Sequence, residues 1–289
     1  MPTELSRRNV TGVIGIGLLG SALAERLIQA EFEVCGYDRS DQALSRFKIS
    51  GGHVTSSLME LALACRRIVL CLPDSTVVER VLAEIQPHLL PETIIVDTTT
   101  GDPQRTKQSA ESLSDIDVEL VDATVLGSSD VTRRGQAVLM VGANPVAFDR
   151  CQPVLNAISG NIHHLGPAGS GQEMKLVANL VLGLNRAVLA EGLHFAKNLG
   201  LDPNTVLSIL KSGAAWSRVM DDKGEKMIHE DFAPQARLSQ HLKDVRLILS
   251  YAEDGSIQLP LSEVHRDLLQ RVEDDGSGGL DNSAVIRAW

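Results

Sequence analysis

The stretch that decides the fold is Val10–Asp38, which reads VTGVIGIGLLGSALAERLIQAEFEVCGYD. An apolar strand, Val10 to Ile16, leads into the glycine-rich segment Gly15–Gly20, and an apolar helical pattern follows at once. A second strand, Phe32 to Tyr37, then ends at Asp38. This order is typical of a dinucleotide-binding βαβ unit, in which the glycines let the backbone approach a pyrophosphate at the N-terminus of a helix. The cofactor-binding residues it predicts are Gly15, Ile16, Gly17, Leu18, Leu19, Gly20 and Asp38.

The same alternation of strand and helix continues along the chain. Ile68 to Leu72 and Thr93 to Val96 are continuous apolar runs that predict buried strands. Ser75 is predicted to cap a helix that runs to about Ile85, and Asp102-Pro103 is predicted to be the N-cap and first residue of another. Strands that are apolar on both sides and alternate with helices indicate a parallel sheet covered on both faces.

The pattern changes after Val118. Three strands follow with one helix, Pro145 to Ile158, among them, which indicates the edge of the same sheet with some antiparallel pairing. Beyond Gly166 the sequence predicts helices only. We therefore expect two domains: an α/β domain at 1–166 with a doubly wound, mostly parallel sheet of the Rossmann type, and an all-α domain at 167–289.

Composition excludes several classes of function. The chain has 289 residues and a net charge of -10, which argues against a nucleic-acid binder. Four cysteines without a CxxC pair predict reduced core thiols and a cytoplasmic protein. The polar N-terminus suggests no signal peptide, and we expect no metal site, since the nearest candidate ligands, His163-His164, lie in a predicted strand.

A second informative stretch is Gly169–Asn179, GSGQEMKLVAN, which opens a long apolar run to about Leu199. The run is too apolar all round for a surface helix, so we expect it to be buried. Lys175 and Asn179 lie four residues apart, on one face of its first turns. A lysine with an amide one turn later could be an acid/base site or, on these residues alone, a core-helix lysine that reaches solvent. Charged and polar residues interrupt the run, so a membrane span is not expected.

These motifs together resemble those of the β-hydroxyacid dehydrogenase family, which includes 3-hydroxyisobutyrate dehydrogenase. The resemblance rests on the glycine segment, Leu72-Pro73, Thr100, the segment Asp122–Ser128, Gly169–Asn179 and Lys243-Asp244, in that order along nearly the whole chain. It implies an NAD(P)-dependent oxidoreductase that moves hydride between the nicotinamide and a small hydroxy acid or semialdehyde.

The resemblance also assigns residues. It implies that Lys175 is the catalytic acid/base and that Asn179 is its partner, with a lysine pKa lowered by burial and by Lys243. Leu72, Pro73, Thr100 and Lys243 would join the cofactor-binding residues. The substrate-binding residues would be Val125, Leu126, Gly127 and Ser128.

The substrate motif departs from the family pattern, Asp-Ala-Pro-Val-Ser-Gly-Gly. Leu126 stands in the serine position, Thr124 in the proline position and Ser128 in a glycine position. A leucine side chain cannot donate a hydrogen bond, so either Ser128 or Ser129 replaces the serine or the substrate is not a simple 3-hydroxy carboxylate. Arg133-Arg134 could meet an anionic substrate, but the sequence favours the interpretation that both are exposed surface arginines.

Cofactor choice is divided between NAD and NADP. Asp38 suits the ribose hydroxyls of NAD and would repel a 2′-phosphate. Arg39 resembles the arginine that holds this phosphate in NADP-using relatives. The charge of Asp38 narrowly favours NAD.

Three further expectations concern function and assembly. The alternatives to a hydroxy acid dehydrogenase are an imine reductase-like enzyme and a non-catalytic dinucleotide-binding interaction protein. The presence of Lys175 disfavours the first, and Lys175 with Asn179 disfavours the second, which Leu126 in the serine position weakly favours. The apolar excess of Leu176 to Leu199 predicts a homodimer or homotetramer through the all-α domain. No nucleic acid and no membrane are expected as partners.

Overall fold

The computed structural model describes residues 10–289. Within them the N-terminal part forms one mixed sheet, whose spatial order is β3-β2-β1-β4-β5-β6-β7-β8. Its pairs are parallel except β6 with β7, which is antiparallel. The strands are β1 Val10–Ile14, β2 Glu33–Tyr37, β3 His53–Val54, β4 Arg67–Leu70, β5 Ile94–Asp97, β6 Glu119–Leu126, β7 Val138–Gly142 and β8 Asn161–Gly166.

Helices flank this sheet and then continue alone. Those between the strands are α1 Leu18–Gln29, α2 Asp41–Ile49, α3 Leu58–Ala64, α4 Ser75–Ile85, α5 Pro103–Ser114, α6 Ser129–Arg133 and α7 Pro145–Ile158. After β8 come α8 Ser170–Asn198, α9 Pro203–Ser212, α10 Arg218–Ile228, α11 Leu238–Asp254 and α12 Pro260–Val272. The predicted fold class, an α/β Rossmann domain followed by a helical domain, is confirmed.

Both faces of the sheet are buried, because successive residues of a strand face opposite sides. Val13 belongs to the core cluster on one face and its neighbour Ile14 to the cluster on the other. Val69 and Leu70 of β4 divide in the same way. This explains why the central strands are continuously apolar in sequence.

Helix starts follow side-chain caps, with one correction to the sequence analysis. Asp102 accepts a hydrogen bond from the N–H of Gln104 (2.8 Å), as predicted for the N-cap of α5. Ser75 is not the cap of α4: it is the first helical residue, and Asp74 accepts from the N–H of Val77 (3.0 Å) instead. A carboxylate before the first turn satisfies a helix N–H and suits the positive end of the helix dipole.

The chain divides into two compact units. We call residues 10–175 the nucleotide-binding unit and residues 176–289 the helical unit. The core of the helical unit is a cluster that includes Leu189, Leu207, Leu242 and Leu269. Within residues 10–289, α8 is the one helix long and apolar enough to cross a membrane (mean hydropathy 1.4), but 44% of its most apolar window is buried within the protein, and buried core helices pass the same test.

Candidate active site

The glycine segment between β1 and α1 is built for close approach. Gly15 has a φ of +90°, and a Cβ there would lie 2.3 Å from the carbonyl oxygen of Cys71. A Cβ on Gly20 would lie 1.9 Å from the carbonyl oxygen of Gly15, so the start of α1 can pack on the turn only without a side chain. At Gly17, by contrast, a Cβ would meet no described atom within 4 Å. Gly17 therefore leaves the N-terminus of α1 open to a phosphate.

The first turn of α1 is electrically suited to an anion. Leu18 is the first residue of the helix, Gly17 is its N-cap, and the first turn carries no acidic side chain. Its N–H groups have no intrahelical partner and lie at the positive end of the dipole. These features fit the pyrophosphate of a dinucleotide.

Asp38 follows β2 directly and contacts the glycine segment. One carboxylate oxygen accepts from the N–H of Ile16 (2.6 Å), and the other accepts from the N–H of Ser40 (2.8 Å). The carboxylate is thereby held beside the predicted phosphate site. Arg39 is exposed.

The strand register brings the remaining predicted cofactor residues of this unit to the same edge. Ile14 is level with Tyr37 on one side and Leu70 on the other, and Leu70 is level with Asp97. Leu72, Pro73 and Thr100 follow β4 and β5, and the N–H of Leu72 donates to the hydroxyl of Thr99 (3.1 Å). The sequence runs outward from β1 to β3 and then restarts at β4 on the other side of β1. Ligands of open α/β sheets bind at such a switch point, outside the carboxyl ends of the strands.

The predicted substrate motif ends β6 at this edge. Val125 and Leu126 are the last residues of β6. Gly127 follows with a φ of +155°, a backbone conformation that would be strained in a residue with a side chain. The hydroxyl of Ser128 accepts from the N–H of Val131 (3.3 Å) as the N-cap of α6. The hydroxyl proton of Ser128 remains available for donation, whereas Leu126 offers none.

Lys175 lies on the second turn of α8 and is 9% exposed. Its Nζ donates to the carbonyl oxygen of Val125 at 2.6 Å. The predicted acid/base and the predicted substrate motif are therefore in direct contact. This contact joins residues 50 positions apart in sequence.

Sequence analysis missed the buried groups that fix the start of α8. Asp122 accepts from the N–H groups of Gly169 (2.7 Å) and Gln172 (2.8 Å). Burial raises the pKa of Asp122 to about 7, although these two hydrogen bonds act to lower it. Asp97, level with it on β5, has a pKa raised to about 6, again by burial. An aspartate that opens a motif gives no local sign of the helix it will contact.

The helical unit holds the other predicted site residues. The amide Nδ2 of Asn179 donates to Asp244 (3.0 Å), and Lys243 forms an ion pair with the same carboxylate (Nζ–Oδ1 2.7 Å). Asn179 and Asp244 are buried. Asp244 was quoted in the sequence motif without a role, and the structure makes it the common partner of Asn179 and Lys243.

The arginine pair beyond the substrate motif is accounted for by packing contacts. Arg133 forms ion pairs with Glu25 (3.0 Å) on α1 and with Asp130 (3.1 Å). Arg134 donates to the side chain of Gln136 (3.2 Å). Arg133 thus has structural partners of its own.

Comparison with known proteins agrees with this arrangement. Residues 10–166 match the family described as the NAD binding domain of 6-phosphogluconate dehydrogenase. Residues 169–289 match that described as NAD-binding of NADP-dependent 3-hydroxyisobutyrate dehydrogenase. The chain is 31% identical to 2-(hydroxymethyl)glutarate dehydrogenase of Eubacterium barkeri, over 96% of this chain and 94% of that one. It is 30% identical to 2-hydroxy-3-oxopropionate reductase of Escherichia coli, over 96% of each chain.

Solved structures share the fold over the whole chain. A 3-hydroxyisobutyrate dehydrogenase from Salmonella typhimurium superposes with a TM-score of 0.91 at 23% identity, covering 97% of this chain and 99% of that one. An imine reductase from Pseudomonas sp. superposes less closely, with a TM-score of 0.67 at 20% identity and coverages of 97% and 99%. At these identities the likeness concerns the fold alone.

Proposed function

We propose, on the premise that this chain belongs to the β-hydroxyacid dehydrogenase family, that Lys175 is its acid/base and Asn179 the partner of that lysine. The chain is an NAD(P)-dependent oxidoreductase that transfers hydride between the nicotinamide and a small hydroxy acid or semialdehyde. Its whole-length relatives are enzymes, which disfavours the non-catalytic alternative, and the imine reductases are more distant in fold.

The observation that carries the proposal is the bond from Lys175 Nζ to the Val125 carbonyl (2.6 Å). It holds the amino group at the end of β6, within the substrate motif Asp122–Ser128. The nicotinamide supplies or accepts the hydride when bound. Lys175 moves the accompanying proton: the amine takes it from the hydroxyl during oxidation, and the ammonium returns it during reduction.

Asn179 is proposed to align the lysine with the reacting oxygen. Its Nδ2 is fixed by Asp244 (3.0 Å), which leaves its amide oxygen as an acceptor for an ammonium or a hydroxyl. Lys243 is proposed to reach the cofactor, with its ammonium restrained by Asp244 (2.7 Å). The division of the chain at 1–166 and 167–289 is part of the proposal and assigns all of α8 to the second domain.

Replacement of the lysine tests the proposal. We expect Lys175→Ala to lower kcat by roughly 10²–10⁴-fold, the contribution of a general acid/base, while NAD(P)H binding persists. The assay follows NAD(P)H absorbance with a panel of hydroxy acids, semialdehydes and imines. Lys197→Ala is the matched control, because Lys197 is an exposed lysine on the same helix. Near-normal kcat in Lys175→Ala would contradict the assignment.

The proposed substrate is a small hydroxy acid or its semialdehyde, held at the end of β6 by Val125, Leu126, Gly127 and Ser128. The relatives named above act on substrates of this class, as their names state. Because Leu126 cannot donate, we assign donation to the carboxylate to the hydroxyl of Ser128 or Ser129. A substrate other than a simple 3-hydroxy carboxylate is the alternative, and the panel distinguishes the two.

The proposed cofactor is NAD in preference to NADP, bound by Gly15–Gly20, Asp38, Arg39, Leu72, Pro73, Thr100 and Lys243. A fixed carboxylate beside the ribose favours hydroxyls and repels a 2′-phosphate. We expect a higher kcat/KM with NAD and a shift toward NADP in Asp38→Asn. A tenfold preference of the wild type for NADP, about 1.4 kcal/mol, would instead assign the pocket to Arg39 and Ser40.

The proposed assembly is a homodimer or homotetramer formed through the helical unit. Val177, Val181, Val188 and Phe195 of α8, and Leu199 just after its last residue, are each more than half exposed and recur at spacings of four and seven residues. This places them along one stripe of the helix, which a second copy of the chain would cover. Light scattering should give a multiple of 31.1 kDa. Val188→Asp should lower that mass, whereas Ile49→Asp, at an exposed site of the other unit, should leave it unchanged.

The proposed compartment is the cytoplasm. All four cysteines are free, and Cys65 and Cys151 are buried. Burial raises the pKa of Cys71 and Cys151 to about 12, so both stay protonated and unreactive at neutral pH. Unpaired thiols of this kind suit a reducing compartment.

A further inference from the structure

Strand β6 makes a continuous set of hydrogen bonds to the first turns of α8. Asp122 accepts from the N–H groups of Gly169 (2.7 Å) and Gln172 (2.8 Å). Three residues later, the carbonyl of Val125 accepts from Lys175 Nζ (2.6 Å). The strand therefore holds the helix at both ends of the segment that carries the lysine.

Thr124 lies between these two contacts. Its hydroxyl donates to the carbonyl of Gly171 (2.9 Å), with a longer contact to the carbonyl of Met140 (3.3 Å). Residues two apart on a strand face the same side, so Asp122 and Thr124 meet the helix together. Thr124 occupies the proline position of the family motif, and a proline has no hydroxyl.

The start of α8 packs closely against β6 and β7, with no room for a side chain at Gly171 or Gly142. A Cβ on Gly171 would lie 2.5 Å from the Met140 carbonyl oxygen and 2.7 Å from Asp122 Oδ2. A Cβ on Gly142 would lie 2.4 Å from Asp122 Oδ1. The helix thus approaches β6 closely enough for side chains of the strand to reach its backbone. Thr124 is fully buried, so water cannot replace its bond to Gly171.

The side chain of Gln172 fixes the same turn to the end of β5. Its Oε1 accepts from the N–H of Gly101 (2.9 Å), and its Nε2 donates to the carbonyl of Thr99 (2.8 Å). The start of α8 is therefore attached to two neighbouring strand ends. The attachment leaves the helix little freedom to slide or rotate on the sheet.

We propose that Thr124 is a positioning residue for Lys175: its hydroxyl, together with Asp122, sets the register of α8 on β6 and so places Nζ at the reacting atoms. The inference rests on the proposed role of Lys175. An acid/base must be held within about 0.5 Å of its productive position, and a displacement of about 1 Å can lower the rate about 100-fold. Thr124 acts through the helix and touches neither substrate nor cofactor.

The test removes the hydroxyl without changing the shape of the side chain. We expect Thr124→Val to lower kcat about tenfold or more, through displacement of the lysine, while the Kd for NAD(P)H stays within about twofold. Thr124→Ser, which keeps the hydroxyl, should return kcat to within about threefold of the wild type. The pH at which kcat/KM rises should also move in Thr124→Val, because the surroundings of the lysine change.

Thr11→Val is the matched control. Thr11 is fully buried on β1 of the same sheet, and its hydroxyl oxygen has no hydrogen-bond partner within residues 10–289. Thr11→Val therefore removes a hydroxyl that makes no hydrogen bond to the described residues. We expect its kcat and pH profile to match the wild type.

Assays of Thr124→Val and Lys175→Ala side by side distinguish failure of the positioning role from failure of the proposed function. Wild-type kcat and pH profile in Thr124→Val, with Lys175→Ala inactive, would overturn the positioning role and leave the proposed function intact. An active Lys175→Ala would overturn the proposed function itself. If Thr124→Val does not fold, the same assays on Asp122→Asn decide, since a wild-type kcat and pH profile there would equally overturn the proposal.

Discussion

Asp122 of the nucleotide-binding unit and Asp281 of the helical unit are both fully buried, and their carboxyl groups have partners of different kinds. Asp122 of the nucleotide-binding unit accepts from two uncharged backbone N–H groups. Asp281 of the helical unit accepts from Lys223 Nζ (2.9 and 3.0 Å) and also from neutral donors that include the N–H of Gln235 (2.9 Å) and the hydroxyl of Ser283 (2.8 Å).

The protonation of the two carboxyls follows from these partners. Burial raises the pKa of Asp122 to about 7, and the two N–H groups only partly offset it. Burial also acts to raise the pKa of Asp281, but the hydrogen bond and charge of Lys223, together with the N–H of Gln235 and the hydroxyl of Ser283, outweigh it and lower the pKa to about 2. The comparison teaches that the chemistry of the partners, more than burial, decides whether a hidden carboxyl is charged at neutral pH.

The largest expected effect comes from breaking the ion pair of the helical unit. Lys223→Met leaves a buried carboxylate without its cation, which should cost about 3–5 kcal/mol of unfolding free energy. Urea unfolding followed by tryptophan fluorescence measures it, because both tryptophans, Trp216 and Trp289, lie in the helical unit.

Lys226→Met is the control for this substitution. Lys226 lies on the same helix as Lys223, but its partner Asp231 is largely exposed (Nζ–Oδ2 3.2 Å). We expect a loss below about 1 kcal/mol. Equal losses in the two variants would refute the distinction between buried and exposed pairs drawn here.

The next effect sharpens the comparison through pH. Folding raises the pKa of Asp122 from 3.8 to about 7, so the folded state holds its proton more tightly than the unfolded state. The stability that this proton contributes is fully present below pH 3.8 and is lost as the pH rises through about 7. Between those limits the free energy of unfolding should fall by up to about 1.4 kcal/mol per pH unit on account of this group. Asp122→Asn should remove that component, whereas Asp97 keeps its own in both proteins.

The pH effect is measured by calorimetry of wild type and variant between pH 4 and 7, since groups common to both cancel in the difference. The contribution of Asp281 to stability depends on pH in the opposite direction. Its lowered pKa adds stability above pH 3.8, and this stability is lost as the pH falls through about 2. Parallel slopes for wild type and Asp122→Asn would show that Asp122 is charged throughout this range.

The smallest expected effect is at the surface of the nucleotide-binding unit. Glu79 and Arg105 form a partly exposed ion pair that joins α4 to α5. Each charge is already well solvated, so Glu79→Gln should change the free energy of unfolding by less than about 1 kcal/mol. A loss comparable to that of Lys223→Met would mean that exposure does not govern these pairs.

Local patterns in the sequence predicted many, but not all, of the strands and helices. The glycine segment, the apolar strands and the Asp102-Pro103 helix start were predicted because each is encoded by neighbouring residues. The two-residue strand β3 and the five-residue helix α6 are too short to show a period, and neither was predicted. Helices α2, α3 and α10 were also missed.

Contacts between distant residues explain what the sequence could not predict in the site. Lys175 and Val125 were assigned through a family resemblance, yet no pattern indicated that one donates to the other. Asp122 contacts Gly169 across 47 positions, and its charge depends on a partner that only folding supplies. Asp122 and Asp281 are both aspartates in ordinary contexts, so sequence alone gives them the same pKa.

The two edges of the sheet have a consequence for the behaviour of the protein at high concentration. An exposed edge strand presents unpaired N–H and C=O groups with which a strand of another chain can pair. In the part of the chain that the structure describes, one edge is β3, only two residues long, and the other is β8, whose exposed residues are Asn161, His163, His164 and a single large apolar one, Leu165. Neither edge offers a long apolar template, so the folded chain is poorly suited to nucleating intermolecular β-aggregates.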